Sequence, residues 1–112
     1  MAWWEDKEIK VGFLNKDVEN QIEEFNNSSF KAIYHKIQEI KKLLKDNPEM
    51  GRNVKKKLIP KKYRGFSNLN IINLPDGYRL LYTIGGSNDI EIVGVLLVDC
   101  LSHPDYDTLF NF

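Results

Sequence analysis

One arginine asks for an explanation before anything else. Arg79 stands in the stretch Gly77-Tyr78-Arg79-Leu80-Leu81-Tyr82, a single cation in an otherwise apolar strand. A guanidinium buried without a partner is costly. Arg79 therefore either pairs with a carboxylate, Asp99 and Glu91 being the candidates, or faces an open groove on the sheet. Strand alternation sets Tyr78, Leu80, Tyr82 and Ile84 on one face and Arg79, Leu81 and Thr83 on the other. Near the end of the chain, His103 stands three residues before Tyr106. An imidazole can move protons near neutral pH, and a phenol hydroxyl can hydrogen-bond a phosphate or a leaving group. A histidine beside Pro104 is also commonly a structural or surface residue. Cys100 and His103 make a Cys-x-x-His half-site, but the second pair of soft ligands is missing, so no metal is expected. Nor does that spacing supply the geometry of a Cys–His nucleophile.

Charge adds a second feature. Sixteen basic and sixteen acidic side chains give a formal net charge of zero, yet they are unevenly spread. Residues 1–40 carry a balance of −3 and residues 65–112 a balance of −5. Between them, residues 41–64 hold ten basic groups against Asp46 and Glu49, a balance of +8. Such a block attracts phosphates locally although the molecule is neutral; the alternative is that its lysines merely solvate a helix end and a loop.

These residues need elements to position them. A chain of 112 residues with 42% hydrophobic and 29% charged side chains suits one domain spanning residues 1–112 with a core of its own. A single cysteine excludes an internal disulfide framework and suits a reducing compartment. The N-terminus lacks the basic and apolar regions of a secretory signal. No apolar run approaches the ~20 residues that cross a bilayer. The expectation is a soluble, cytoplasmic protein with no membrane association. Ile9, Val11 and Phe13 alternate as a first strand. Asn15 or Asp17 can cap a helix carrying Val18, Ile22 and Phe25 on one face, and Ser28 or Ser29 can cap a longer one. In the second helix Phe30, Ile33, Tyr34, Ile37, Ile40 and Leu44 form the apolar stripe, ended by Asn47-Pro48 and Gly51. Residues 52–65 read as basic and irregular. Strands follow over Leu69–Leu74 and Tyr78–Ile84, then a hairpin loop at Gly85-Gly86-Ser87-Asn88. Ile90–Val98, apolar on both faces, reads as a central strand. Residues 103–110 suit a short turn or helix. The expected architecture is α+β, in the order β-α-α-β-β-β, with an antiparallel sheet and two N-terminal helices packed on one face. Trp3 and Trp4 suit a sheet edge or a partner contact.

This order, the Gly-Tyr-Arg-Leu-x-Tyr strand, the apolar strand after it and Ser102-His103-Pro104-Asp105-Tyr106 resemble the RelE/ParE superfamily of bacterial and archaeal toxins, the toxin halves of type II toxin–antitoxin pairs. The basic segment Asn47-Pro48…Gly51…Lys55-Lys56-Lys57-Leu58 also fits. The resemblance implies a RelE-like fold, a cognate antitoxin protein as partner and no small-molecule cofactor. In the RelE branch it further implies a ribosome-dependent mRNA endoribonuclease that uses the RNA 2′-hydroxyl. In the ParE branch it implies a gyrase poison that cuts no RNA, and an inactive toxin-like binding module is a further alternative. Arg79 matches the strand arginine that contacts the scissile phosphate, and Tyr106 matches the tail aromatic near the reacting nucleotide. His103 stands where some branches place a histidine and others an arginine. The departure lies in the strand before Arg79. Where the best-known ribonucleases carry a lysine pair, this chain reads Asn70-Ile71-Ile72-Asn73.

Cutting RNA through its own 2′-hydroxyl needs a base for that proton, cationic donors for the phosphorane and an acid for the departing 5′-oxygen. Arg79 and the basic residues Lys61, Lys62 and Arg64 can supply donors, and His103 one proton-transfer role. The other role falls to Tyr106 or to a carboxylate that the sequence does not single out. Lys55, Lys56 and Lys57 join Lys61, Lys62 and Arg64 as candidate RNA-binding residues, with mRNA on the ribosome as the polyanion. If residues 41–64 engage about four phosphates of single-stranded RNA, log K falls with log[salt] at a slope of about −3. A salt titration of binding checks this, and a flat dependence returns the lysines to a solvated surface.

Overall fold

The computed structural model describes residues 2–86 and 89–110. Strand β1 (Glu8–Phe13) turns its odd residues Ile9, Val11 and Phe13 onto the core, as their alternation predicts. Helix α1 (Lys16–Phe25) starts where the Asn15 Oδ1 accepts the Val18 N–H at 3.0 Å. Of the two candidate caps, Asn15 is therefore the one used. Asp17 and Glu19 in the first turn suit the positive end of the helix. Helix α2 (Lys31–Asp46) differs from expectation at its start: neither Ser28 nor Ser29 caps it, and Phe30 takes that position without a side-chain bond. The Ser28 hydroxyl is already engaged. It donates to the Phe25 carbonyl and accepts the Phe30 N–H, both at 3.0 Å, and so closes the turn between the helices. Ile33, Ile37, Ile40 and Leu44 are buried along α2. The helix ends at Asn47, held extended by the proline that follows.

The remaining strands are β2 (Arg52–Asn53), β3 (Asn70–Asn73), β4 (Arg79–Gly85) and β5 (Ile92–Leu101), and helix α3 spans His103–Phe110. Between β2 and β3 the chain makes two 3-10 turns, Lys56–Leu58 and Lys61–Tyr63. The sheet runs β1-β5-β4-β3-β2. It is mixed and not antiparallel throughout, because β1 lies parallel to β5. Alternation fixes a strand's faces but not its direction. The chain leaves β1 through two helices instead of a hairpin, which permits a parallel neighbour.

Helices α1 and α2 pack on one face, where Ile22, Ile37, Leu44, Leu80, Tyr82, Val95 and Leu97 form the first core. The other face carries a second core of Ile59, Tyr63, Leu69, Ile71, Leu81, Val98 and Leu101, closed by Tyr106 of α3. Each such side chain contributes about 1.5–3 kcal/mol on burial, so burial holds the irregular segment and the tail to the sheet as it does the helices on the other face. Strand β5 is interior, as its composition suggests, but Ile92 and Leu96 remain exposed. Its pairing with β4 slips at one point: Leu81 faces Asp99 and Tyr82 faces Leu97. The extra residue, Val98, is a bulge. It lets Val98 join the second core while Asp99 reaches the same face. Of the expected hairpin loop, Ser87 and Asn88 lie outside the described residues. Among the described residues, no helix is long and apolar enough to cross a membrane.

Tyr82 joins the two halves of the chain. Its hydroxyl donates to the Pro48 carbonyl at 2.8 Å and accepts the Gly51 N–H at 2.9 Å. A β-carbon on Gly51 would meet the Tyr82 ring at 2.8 Å, so only glycine allows the approach. Replacing Tyr82 with Phe leaves a buried carbonyl and an N–H without partners. The expected loss is about 1–3 kcal/mol, measured as a lower urea midpoint with an unchanged slope.

Candidate nucleic-acid interface

Arg79 is the first residue of β4, not a mid-strand residue, paired with Asn73 on one side and Leu101 on the other. The preceding turn Pro75–Gly77 requires positive φ at Asp76 and Gly77, and strand geometry resumes after it. From this end of the sheet the half-buried guanidinium doubles back, and its Nη1 donates to the Gly77 carbonyl at 2.8 Å and the Tyr78 carbonyl at 3.2 Å. Its planar group lies 5.1 Å from the centre of the Tyr106 ring, a cation–π contact. The carboxylate alternatives do not hold. Asp99 Oδ2 accepts the Tyr63 hydroxyl at 2.7 Å and lies 3.4 Å from Lys62 Nζ, and among the described residues neither Asp99 nor Glu91 forms an ion pair with Arg79.

Tyr106 is buried. Its ring stacks on Phe110 at 4.6 Å, and its hydroxyl accepts a hydrogen bond from Arg52 Nη2 at 3.0 Å. Arg52 comes from β2, opposite Ile71 of β3. Two guanidinium groups from different strands thus meet on one phenol.

They lie in a groove of about 1230 Å³. Its floor includes Ile71, Asn73 and Arg79, one wall is the 52–64 segment and the other is α3 from Tyr106 to Phe110. Lys55, Lys57, Lys61, Lys62 and Arg64 line it, whereas Lys56 does not. Among the described residues, Lys62 is the one cation of this lining with a carboxylate partner, Asp99. Arg64 gives its Nε to the Ile59 carbonyl at 3.4 Å. The lining is therefore cationic with little internal neutralisation, a property suited to an extended anion.

His103 is not part of that lining. It packs on the turn before β4, where a β-carbon on Gly77 would lie 3.1 Å from its own. Its Nδ1 sits 3.0 Å from Asp107 Oδ2. Asp107 does line the groove, so the imidazole borders the site through a carboxylate. Two groove residues carry no distinguishing signal in the sequence. Arg52 belongs to the basic block but stands in a segment that reads as irregular. Asp107 sits beside Tyr106 in a tail with no pattern to single it out. Cys100 lies in the first core, on the helical face, where burial and then the Asp99 charge push its thiol up to about 12. It does not join His103 in a ligand pair.

A family model described as the ParE toxin of the type II toxin–antitoxin system parDE matches residues 14–97. The chain belongs to this family. No curated protein and no solved structure matches it. The match includes Arg52, the lysine segment and Arg79, and it ends before His103, Tyr106 and Asp107. Membership makes the chain a type II toxin and implies an antitoxin partner.

Asp99 anchors the groove wall of the toxin through Tyr63 and Lys62, and this region sets an alkaline limit on stability. Burial, then the bond to Asp99, raises the Tyr63 hydroxyl well above its ordinary 10.0. Burial also raises Tyr82. For groups raised in the folded state, the stability they contribute is fully present below the unfolded values, 9.0 for Cys100 and 10.0 for the tyrosines. It is lost as pH climbs toward the folded values, because the unfolded chain then binds fewer protons. Urea midpoints are expected to be level with respect to these groups up to about pH 9 and to fall above it. Replacing Cys100 with Ala flattens the first part of that decline, between pH 9 and the tyrosine range.

Proposed function

We propose that the toxin is an endoribonuclease that cuts mRNA on the ribosome. The observation that carries this reading is the convergence of Arg52 and Arg79 on Tyr106 inside a cationic groove. Such a pair suits the non-bridging oxygens of one phosphate, since guanidinium forks bind phosphate in two-point fashion. Lys55, Lys57 and Lys61 would hold flanking phosphates, with Lys62 and Arg64 at the wall.

The reaction needs a base, and guanidinium groups do not serve. Asp107 is the carboxylate the groove supplies, with His103 behind it as a positioning residue. In this reading the 2′-hydroxyl gives its proton to Asp107, and its oxygen attacks phosphorus. The bond to the 5′-oxygen breaks and leaves a 2′,3′-cyclic phosphate. The departing oxygen takes the Tyr106 hydroxyl proton, with Arg52 stabilising the phenolate. Because the ribosome already holds mRNA in place, orientation supplies much of the acceleration and modest acid–base groups suffice. The chain would then act in the cytoplasm.

The test is cleavage of mRNA on translating ribosomes, set against gyrase-dependent DNA breaks with the same protein. Arg79→Ala is expected to lower cleavage about 10²–10³-fold, and Asp107→Asn about 10²–10⁴-fold. His103→Gln, acting through Asp107, has a smaller effect that shows mainly as a changed pH profile. DNA breaks with intact mRNA would give the chain to the gyrase alternative.

A further inference from the structure

Beside the cationic groove lies a second hollow, of about 420 Å³, that the chemistry above does not use. Its volume falls in the range of small-molecule sites, roughly 300–1,000 Å³. Asn53 borders both cavities, so they adjoin at the β2 edge. Their chemistry differs sharply. Among the described residues no lysine or arginine lines the second hollow; its walls include the indole of Trp3, the amides of Asn53, Asn68 and Asn70, and Glu49.

The indole is held in place. The Trp3 ring closes on Gly86, where a β-carbon would meet it at 3.3 Å. The next residue, Trp4, donates its Nε1 to Glu49 Oε1 at 2.6 Å, and Lys7 Nζ bonds the Ile90 carbonyl at 2.6 Å. The deeper amides are committed to the fold. Asn68 Oδ1 accepts from the Ile84 N–H and the Thr83 hydroxyl, and Asn70 Oδ1 accepts from Asn53 Nδ2. Asn53 and Glu49 line the hollow, and among the described residues Asn53 Oδ1 and Glu49 Oε2 accept no hydrogen bond.

A phosphate gains nothing from such walls, and Glu49 repels it. A nucleobase gains a flat aromatic surface and hydrogen-bond acceptors, the pairing by which single-stranded RNA is recognised. We propose that the hollow is a base subsite for the same RNA strand whose phosphates occupy the groove, and that it favours a base with an exocyclic amine over uracil. The proposal rests on the RNA reading of the groove and adds to it a site for a nucleotide outside the scissile pair.

The two tryptophans, Trp3 and Trp4, are the only ones in the chain, which makes emission a direct probe. Cleavage-resistant 2′-O-methyl oligonucleotides of about two to eight nucleotides, spanning the scale of single-strand sites, are titrated at low salt. Anisotropy reads binding, and tryptophan emission reads stacking. The longer oligonucleotides are expected to quench emission, and Trp3→Phe abolishes that quenching while retaining affinity. Trp3→Ala weakens the longer oligonucleotides about tenfold and leaves dinucleotides unaffected, with an unchanged melting curve. Asn53→Ala reduces the preference for cytosine over uracil. Binding that falls with salt and with Arg79→Ala, yet is silent in emission and indifferent to Trp3→Ala, overturns the subsite and leaves the groove reading intact. No binding at any length overturns both.

Discussion

The Arg79–Tyr106–Arg52 arrangement is the constraint on which the rest of the site depends. Two like charges are drawn toward one ring, and they are compensated locally by its electron-rich face, its hydroxyl oxygen and the Gly77 and Tyr78 carbonyls that accept from Arg79. A carboxylate between them would be the simpler solution, and the fold withholds it. Asp99, the acid nearest in register to this end of the sheet, is turned to Tyr63 and Lys62 by the bulge in β5. Asp107 is engaged with His103. Among the described residues the two arginines are thereby left without a carboxylate between them. Phe110, stacked behind Tyr106, makes the ring a fixed surface.

That constraint reaches back through the sheet to Tyr82. Arg52 belongs to a strand of only two residues, which has little power to position a long side chain by itself. Its place is set by the residue before it. Gly51 is tied to the Tyr82 hydroxyl, and the ring fills the space a β-carbon would need. Arg79 and Tyr82 are three residues apart on β4 and face opposite sides, one to the groove and one to the helical core. One strand therefore carries one groove cation directly and fixes the other from behind.

Much of this was legible in the sequence because it follows period and punctuation. The stripe of α2, the opposed faces of β4 and the breaker Asn47-Pro48 each leave a local signature. What stayed hidden has a non-local cause. The parallel β1–β5 pair depends on strand direction, which alternation does not encode. The Ser28 hydroxyl could bond forward or backward, and the turn it closes decided the matter. Arg52 lay within the basic block but outside any pattern, since two residues make no period. His103 and Tyr106 read as neighbours, but His103 is the first residue of α3 and packs on Gly77, while Tyr106, most of a turn further on, enters the groove. The second core was equally unreadable, because Ile59, Tyr63 and Leu69 come from a stretch of turns with no regular spacing.

The missing lysine pair bears most directly on mechanism. A lysine on β3 could bind phosphate and, once its proton is lost, also act as a base. Here that strand offers Asn70-Ile71-Ile72-Asn73, and the cation arrives from β2 as an arginine. A guanidinium is permanently charged, so it grips phosphate in a defined plane but cannot exchange protons at physiological pH. The substitution therefore separates two duties that one residue type can combine. In the proposed ribonuclease reading, holding charge would fall to Arg52 and Arg79, and proton transfer to the opposite wall, where α3 brings Tyr106 and Asp107 to the groove. On the proposed ribonuclease reading the chain would need its last helix for chemistry as well as for closing the second core, and Tyr106, buried beneath two arginines at the rim of the sheet, would serve both.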